Sequence, residues 1–124
     1  MAIQVLVVDD AAFMRHMLKQ ILVEMDCEIV AEAGDGNEAI EAYQKHRPDL
    51  VTLDLVMPNM GGLEALEQIR QFDPKARVLV ISAIDQRSSL MQAVKLGAVD
   101  YVVKPFDRDG VKKALNRAME TIGA

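Results

Sequence analysis

The sequence contains no tryptophan, a single cysteine and no long uninterrupted apolar segment. Cys27 has no second thiol with which to form a disulfide or a metal site, and its place at the start of a predicted strand favours a small buried side chain. The apolar run near the start ends at Asp9 and Asp10 and follows no basic residue, so it predicts neither a signal peptide nor a membrane segment. We therefore expect a cytoplasmic protein without a membrane partner.

The sequence has fewer basic than acidic side chains. Fourteen lysines and arginines stand against nineteen aspartates and glutamates, which gives a formal net charge of −5. No electrostatic attraction to nucleic acid or to an anionic surface is expected. The 51% hydrophobic and 27% charged composition is typical of a folded globular chain. At 124 residues the chain is expected to form one domain over residues 1–124.

Short aliphatic runs alternate with longer segments of helical period. The predicted strands cover residues 3–8, 28–33, 50–53, 77–82 and 100–103, and the predicted helices cover residues 13–25, 36–46, 62–72, 87–96 and 107–122. Near-continuous aliphatic runs are typical of strands that are buried on both faces. The alternation predicts an α/β fold of five βα units around a parallel five-stranded sheet.

Polar residues follow or close several of these strands. They are Asp9 and Asp10 at strand one, Asp54 at strand three, Ser82 at strand four and Lys104 at strand five. Ligands of open parallel sheets bind at the carboxyl ends of the strands, so we expect these residues to meet. Taken singly each has an ordinary interpretation: the aspartate pair could cap helix one, Asp54 could lie in a turn, and the serine and lysine could be solvated.

Three gathered carboxylates repel one another unless one is protonated or a cation neutralises them. Mg²⁺ suits such a set, with Asp10 and Asp54 as direct ligands and Asp9 as a direct or water-bridged one. Asp54 is then expected to act as a nucleophile that forms an acyl phosphate. Lys104 would offset the charge of the phosphoryl oxygens, and Ser82 could donate a hydrogen bond to them.

The segments VLVVDDAAFMR, DLVTLDLVMPNMGG, VLVISA and DYVVKPF together resemble the receiver domains of two-component response regulators over essentially the whole chain. The closest resemblance is to single-domain chemotaxis regulators of the CheY type, since no further segment follows the last predicted helix. The resemblance implies a flavodoxin-like (βα)5 three-layer sandwich with strand order 2-1-3-4-5. It also implies a signalling protein that catalyses only its own phosphorylation and slow dephosphorylation.

The resemblance assigns a role to each site residue. It implies that a histidine kinase phosphorylates Asp54, that the backbone carbonyl of Val56 completes the Mg²⁺ ligands, and that the Lys104–Pro105 peptide bond is cis. Tyr101 would turn inward when Ser82 moves toward the phosphoryl group. That switch would remodel the face of helix four, strand five and helix five for a target protein, in chemotaxis the flagellar motor switch.

Val56 and Ile84 are aliphatic at two positions that vary within the family. Neither side chain can orient a water molecule toward the acyl phosphate. We therefore hypothesise that the phosphorylated state decays slowly by itself and that a separate phosphatase is needed.

Three other interpretations stay open at this point. A Mg²⁺-dependent aspartyl phosphatase would share the chemistry, but Asp54 lacks the Asp-x-Asp pattern. A flavin carrier would share the fold, but Asp9 and Asp10 would repel its phosphate. The chain could also be the receiver of a larger regulator, or act outside motility, with exposed target-binding side chains such as Gln92, Lys95, Lys112 and Asn116.

Overall fold

The computed structural model describes residues 2–83 and 87–122. Within these residues five strands alternate with five helices. The strands are β1 (Gln4–Val8), β2 (Glu28–Ala33), β3 (Leu50–Asp54), β4 (Val78–Ala83) and β5 (Asp100–Lys104). The helices are α1 (Ala12–Glu24), α2 (Gly36–His46), α3 (Gly62–Phe72), α4 (Arg87–Lys95) and α5 (Arg108–Glu120). The strands are parallel in the order β2-β1-β3-β4-β5, which confirms the expected fold.

Five of the predicted strand ends are wrong by one residue: β1 and β4 begin one residue later than predicted, and β3, β4 and β5 end one residue later, so that Ala83 and not Ser82 closes β4. Asp54 and Lys104 were expected to follow their strands, yet each is the last residue of its strand. The reason is continued pairing in register, of Asp54 with Ile81 and of Lys104 with Ala83. Both side chains are therefore held by sheet backbone rather than by a loop.

The sheet is covered on both faces, which explains the aliphatic strands. On β3, Val51 and Leu53 point into a cluster formed with α2, α3 and α4, whereas Leu50 points into a second cluster with α1 and α5. All three side chains are fully buried. Cys27 belongs to the second cluster and is buried as predicted. Among the described helices, none combines the length and apolar character needed to cross a bilayer.

Thr52 is the one polar residue in the interior of β3. Its side chain is fully buried between Val7 of β1 and Leu79 of β4, its register partners. Its Oγ1 has no hydrogen-bond partner among the residues that the structure describes. A buried hydroxyl without a partner has lost its hydrogen bonds to water and has gained none in the protein, so it lowers the stability of the folded state.

We predict that Thr52→Val stabilises the protein by about 1 to 2 kcal/mol, because valine has nearly the same shape and no hydroxyl to desolvate. Urea unfolding at equilibrium would measure the change.

Thr121→Val is the matched control for that substitution. Thr121 Oγ1 donates to the Ala118 carbonyl at 2.6 Å and accepts from Arg77 Nε at 2.9 Å. The same change at Thr121 should therefore fail to stabilise. A loss of stability in Thr52→Val would show that its hydroxyl is satisfied.

Candidate functional site

Asp9, Asp10 and Asp54 meet at the carboxyl end of the sheet, as predicted. One oxygen from each carboxylate can be chosen so that all lie within 4.8 Å of one another. The cause is the pairing of β1 with β3, in which Val8 is opposite Leu53, so that the residues that follow are neighbours. Asp9 and Asp54 are only 1% and 7% exposed, whereas Asp10 is open to solvent.

Every polar atom of Asp9 is held by another residue. Its N–H donates to the Ala33 carbonyl at 3.0 Å, and its carbonyl accepts from Arg15 Nη1 at 2.7 Å. Its Oδ1 accepts from the Ala11 N–H at 2.9 Å and its Oδ2 from Lys104 Nζ at 3.2 Å. Ala11 occupies the N-cap position of α1, and no side chain caps that helix. The interpretation of the aspartate pair as a helix cap is therefore wrong.

Lys104 lies between two of the carboxylates. Its Nζ is 3.2 Å from Asp9 Oδ2 and 3.5 Å from Asp54 Oδ2, and the side chain is 23% exposed. The lysine reaches Asp54 across β4, which separates β5 from β3 in the sheet. One ammonium group offsets one of three negative charges, so the site keeps a net negative charge when all three carboxylates are ionised.

Burial raises the pKa of the Asp54 carboxyl above its usual range. The Lys104 ammonium acts in the opposite direction, and the Asp9 carboxylate adds to the increase. A weak hydrogen bond from the Val56 N–H to Asp54 Oδ1, 3.4 Å long, also favours the ionised form. The raised pKa means that the ionised Asp54 carboxylate destabilises the folded chain.

The donor set fits a hard divalent cation. Oxygen atoms from three clustered carboxylates are the ligands that Mg²⁺ prefers, and a cation would offset the Asp9 repulsion that adds to the effect of burial on the Asp54 pKa. Val56 is 56% exposed beside Asp54. The role of its carbonyl as a ligand stays a prediction, and Ile84 lies outside the described residues.

Ser82 and Tyr101 lie on neighbouring strands but in opposite environments. Ser82 is fully buried one residue beyond Ile81, the register partner of Asp54. Tyr101 is 47% exposed and lines a groove of about 500 Å³. The other lining residues are Arg87, Leu90, Met91, Val94 and Val103. The outward position of Tyr101 is one of the two positions that the predicted switch requires.

Two further expectations have clear outcomes. The Lys104–Pro105 peptide bond is cis, as predicted. The placement of Lys112 on the target-binding face is wrong, because its Nζ lies 3.3 Å from Glu24 Oε2 and the side chain thus faces α1. The other three residues named for that face, Gln92, Lys95 and Asn116, are exposed as expected.

The loop that follows Asp54 is fastened to the loop that follows β2, which the sequence did not predict. Asp35 caps α2 by accepting from the Glu38 N–H at 2.9 Å, and its other oxygen accepts from Asn59 Nδ2 at 2.9 Å. The Gly36 N–H donates to the Met60 carbonyl at 2.9 Å. The backbone of Asn59 is left-handed, with φ of 65°. Asparagine tolerates that conformation better than most residues, so its presence in this loop was the available sequence signal for a turn.

Gly62, the first residue of α3, packs closely against the backbone of Asp54 and Leu55. A Cβ atom on Gly62 would lie 2.3 Å from the Asp54 carbonyl oxygen and 2.6 Å from the Leu55 Cα. Only glycine allows α3 to begin this close to the end of β3. The backbone that carries Asp54 is therefore packed against the start of a helix.

We predict that Asp54→Asn raises the free energy of unfolding at neutral pH in metal-free buffer. The folded-state pKa of Asp54 is raised, so the ionised carboxylate destabilises the folded chain above that pKa and the penalty fades as pH falls through it toward about 3.9, the unfolded value. Urea unfolding in EDTA across this range would measure both trends.

The control for that prediction is Glu67→Gln, which makes the same change of charge at an exposed position on α3. Its stability should change little, since exposed charges interact weakly. An Asp54→Asn variant that is less stable than the wild type at neutral pH contradicts the electrostatic description of the site.

Comparison with known proteins gives one consistent family. The family model for the response regulator receiver domain matches residues 5–116. The chemotaxis protein CheY of Bacillus subtilis is 50% identical over 119 residues, covering 96% of this chain and 99% of that protein. CheY of Thermotoga maritima is 46% identical over 114 residues, covering 92% and 95%.

Solved structures agree with the sequence comparisons. A crystal structure of a CheX-CheY-BeF3-Mg²⁺ complex from Borrelia burgdorferi matches with a TM-score of 0.87 and 39% identity, over 96% of this chain and 88% of that one. The response regulator domain of Thermotoga maritima CheB matches with a TM-score of 0.84 and 34% identity, over 100% and 98%. With the fold and the clustered carboxylates, these matches show that the chain belongs to the response regulator receiver domain family.

Proposed function

We propose that this response regulator accepts a phosphoryl group from a histidine kinase onto Asp54 and changes its α4-β5-α5 surface in response. The observation that carries the proposal is the environment of Asp54. Its carboxylate lies at the end of a buried strand, 3.5 Å from the Lys104 ammonium and clustered with Asp9 and Asp10. A nucleophilic carboxylate with an adjacent cation suits phosphoryl transfer.

Mg²⁺ would be held by Asp10, Asp54 and the backbone carbonyl of Val56, with Asp9 assisting. When bound, the ion offsets the negative charge of the phosphoryl oxygens. Asp54 supplies the nucleophile: a carboxylate oxygen forms a bond to phosphorus while the bond from phosphorus to the histidine nitrogen of the kinase breaks. The product is an acyl phosphate on Asp54, so the protein modifies itself and turns over no small molecule as an enzyme.

Lys104 is the residue that must change partner during this step. In the unphosphorylated chain its ammonium bonds the Asp9 carboxylate and lies near that of Asp54. A phosphoryl group on Asp54 brings new acceptor oxygens within reach of the same ammonium. Redirecting Lys104 toward them leaves Asp9 without its cationic partner unless Mg²⁺ is bound.

The change of surface would pass through Ser82 and Tyr101. Ser82 would move to donate to the phosphoryl oxygens, and Tyr101 would turn inward from the groove that it lines. The groove contains apolar side chains that are unusually open to solvent, with Met91 65% and Val94 52% exposed. A target protein bound there would cover them.

The names of the relatives support chemotaxis as the pathway. We propose the flagellar motor switch as the target and the cytoplasm as the location. The Borrelia burgdorferi relative was crystallised with a second protein, CheX. That complex supports a further partner, which we propose is a phosphatase that removes the phosphoryl group from Asp54. The aliphatic side chains of Val56 and Ile84 are the reason that such a partner is needed.

Phosphorylation at Asp54 is tested with acetyl phosphate as a small donor. We expect intact-mass spectrometry to show one added phosphoryl group on the wild type in the presence of Mg²⁺. The addition should be lost in EDTA and in Asp54→Asn, because both remove a participant in the reaction. The control Glu67→Gln should be labelled like the wild type. Labelling of Asp54→Asn to the wild-type extent would contradict the proposal.

The lifetime of the phosphorylated state tests the role of the two aliphatic positions. We expect Val56→Asn combined with Ile84→Glu to lose the phosphoryl group at least about tenfold faster, because polar side chains can orient the attacking water. The decay is followed by intact mass after the donor is removed.

The control for the lifetime measurement is Val23→Asn, a polar substitution at a valine on α1 that is 60% exposed. It should decay like the wild type. If the double variant also decays at the wild-type rate, the side chains at positions 56 and 84 do not determine the lifetime.

A further inference from the structure

Arg15 contacts the loop that carries Asp9 and Asp10, and it has no role in the proposed phosphoryl transfer. Its Nη1 donates to the carbonyl oxygen of Asp9 at 2.7 Å. Arg15 is the fourth residue of α1, near the positive end of the helix dipole, where a cation is unfavourable unless acceptors compensate it. The acceptors that compensate the charge of Arg15 therefore identify what the side chain does.

Glu32 of β2 anchors the arginine. Its Oε1 accepts from Arg15 Nε at 3.1 Å, and its Oε2 accepts from Lys19 Nζ at 2.9 Å. Hydrogen bonds from Lys19 and Arg15 hold the pKa of the Glu32 carboxyl below its usual range, so it is ionised at neutral pH. Arg15 is thus fixed on one side to the edge strand of the sheet and on the other to the loop after β1.

Asp10 is the carboxylate that depends on this contact. Asp9 is held through its own N–H and both carboxylate oxygens, as described above. The side chain of Asp10 is exposed, and within residues 2–83 and 87–122 it makes no hydrogen bond or ion pair. Among the described residues, therefore, only the backbone of Asp10 restricts where its carboxylate lies.

The Asp9 carbonyl and the Asp10 N–H belong to one planar peptide group. A donor that holds this carbonyl restrains the plane, and with it the positions of the Asp10 N and Cα atoms from which the side chain leaves the backbone. The charged donor Arg15 makes the bond strong. Among the hydrogen bonds in the described part of the chain, it is the side-chain contact that acts on this plane directly.

We propose that Arg15 is a positioning residue for Mg²⁺ binding, which orients Asp10 through the Asp9 carbonyl and is itself held by Glu32. This inference rests on the proposed Mg²⁺ site. Loss of the arginine should weaken the binding of the ion, since groups that orient metal ligands affect affinity strongly. It should leave the reactivity of Asp54 at saturating Mg²⁺ close to that of the wild type.

Simple electrostatics predicts the opposite change in Mg²⁺ affinity when Arg15 is lost. Arg15 carries a positive charge beside the site, so its removal alone would lower the repulsion felt by an incoming cation and tighten binding. A weaker affinity after the loss of a positive charge is therefore specific to the positioning role. Lys19 provides the matched control, because it shares Glu32 but, among the residues that the structure describes, makes no hydrogen bond to the Asp9 carbonyl.

The test is calorimetric titration of MgCl₂ into the metal-free full chain. We expect Arg15→Met to weaken the Mg²⁺ affinity roughly tenfold. Arg15→Lys, which can still donate to the carbonyl, should recover most of the loss. Lys19→Met should bind as tightly as the wild type or slightly more tightly. The rate of acetyl phosphate labelling at saturating Mg²⁺ should be similar in all four proteins.

Urea unfolding in EDTA establishes that each variant is folded, and Glu32→Gln replaces Arg15→Met if that variant is not. Weakening the anchor in this way should reduce the affinity by less than Arg15→Met would, and by more than Glu28→Gln, which removes the same charge from an exposed position on β2. Wild-type affinity or tighter binding in Arg15→Met, or in Glu32→Gln in its place, overturns this inference and leaves the proposed function intact. A wild-type chain that binds no Mg²⁺ overturns both.

Discussion

The mutual repulsion of three carboxylates at one end of the sheet is the constraint on which the rest of the site depends. Asp9 and Asp54 are almost fully buried there, and one lysine offsets part of their charge. Burial raises the pKa of Asp54 even with that lysine beside it. The fold therefore maintains an excess of negative charge that a divalent cation can neutralise, and an incoming phosphoryl group, itself negative, depends on that cation and on Lys104.

The surrounding structure holds this imbalance in place. Asp54 ends β3, which pairs with β1 up to Val8 opposite Leu53, so the backbones of Asp54 and Asp9 cannot separate to relieve the repulsion. Gly62 brings α3 against the Asp54 carbonyl, and Asp35 fastens the loop that follows it. Membership of the receiver family decides against the aspartyl phosphatase and the flavin carrier, which would have required a different use of the same negative charge.

Much of the fold could be predicted from local patterns. Strands buried on both faces read as aliphatic runs, and their ends were predicted to within one residue, as at β3 and β5. The three aspartates and Lys104 were correctly predicted to gather, because parallel strands align their carboxyl ends, whereas the role of Ser82 stays a prediction. The strand order came from the family resemblance, since neither period nor spacing determines which strands become neighbours.

The contacts that depend on side-chain reach could not be predicted. The meeting of Lys104 with Asp54 was expected, but nothing local indicates that its ammonium bonds the Asp9 carboxylate, or that Lys112 pairs with Glu24. Arg15 offered one signal, a cation near the start of a helix, but its acceptor at Asp9 became evident only once α1 was packed on the sheet. These are the interactions that convert a common fold into a particular site.

A crystal structure of the chain with Mg²⁺ and beryllofluoride, a phosphoryl analogue, tests whether Asp54 is the phosphoacceptor. We predict the analogue on an Asp54 carboxylate oxygen, with Lys104 turned toward its fluorides. The ion should be bound by Asp10, Asp54 and the Val56 carbonyl. An analogue bound to a different residue, or an ion bound away from the three aspartates, would contradict the proposed phosphoacceptor site.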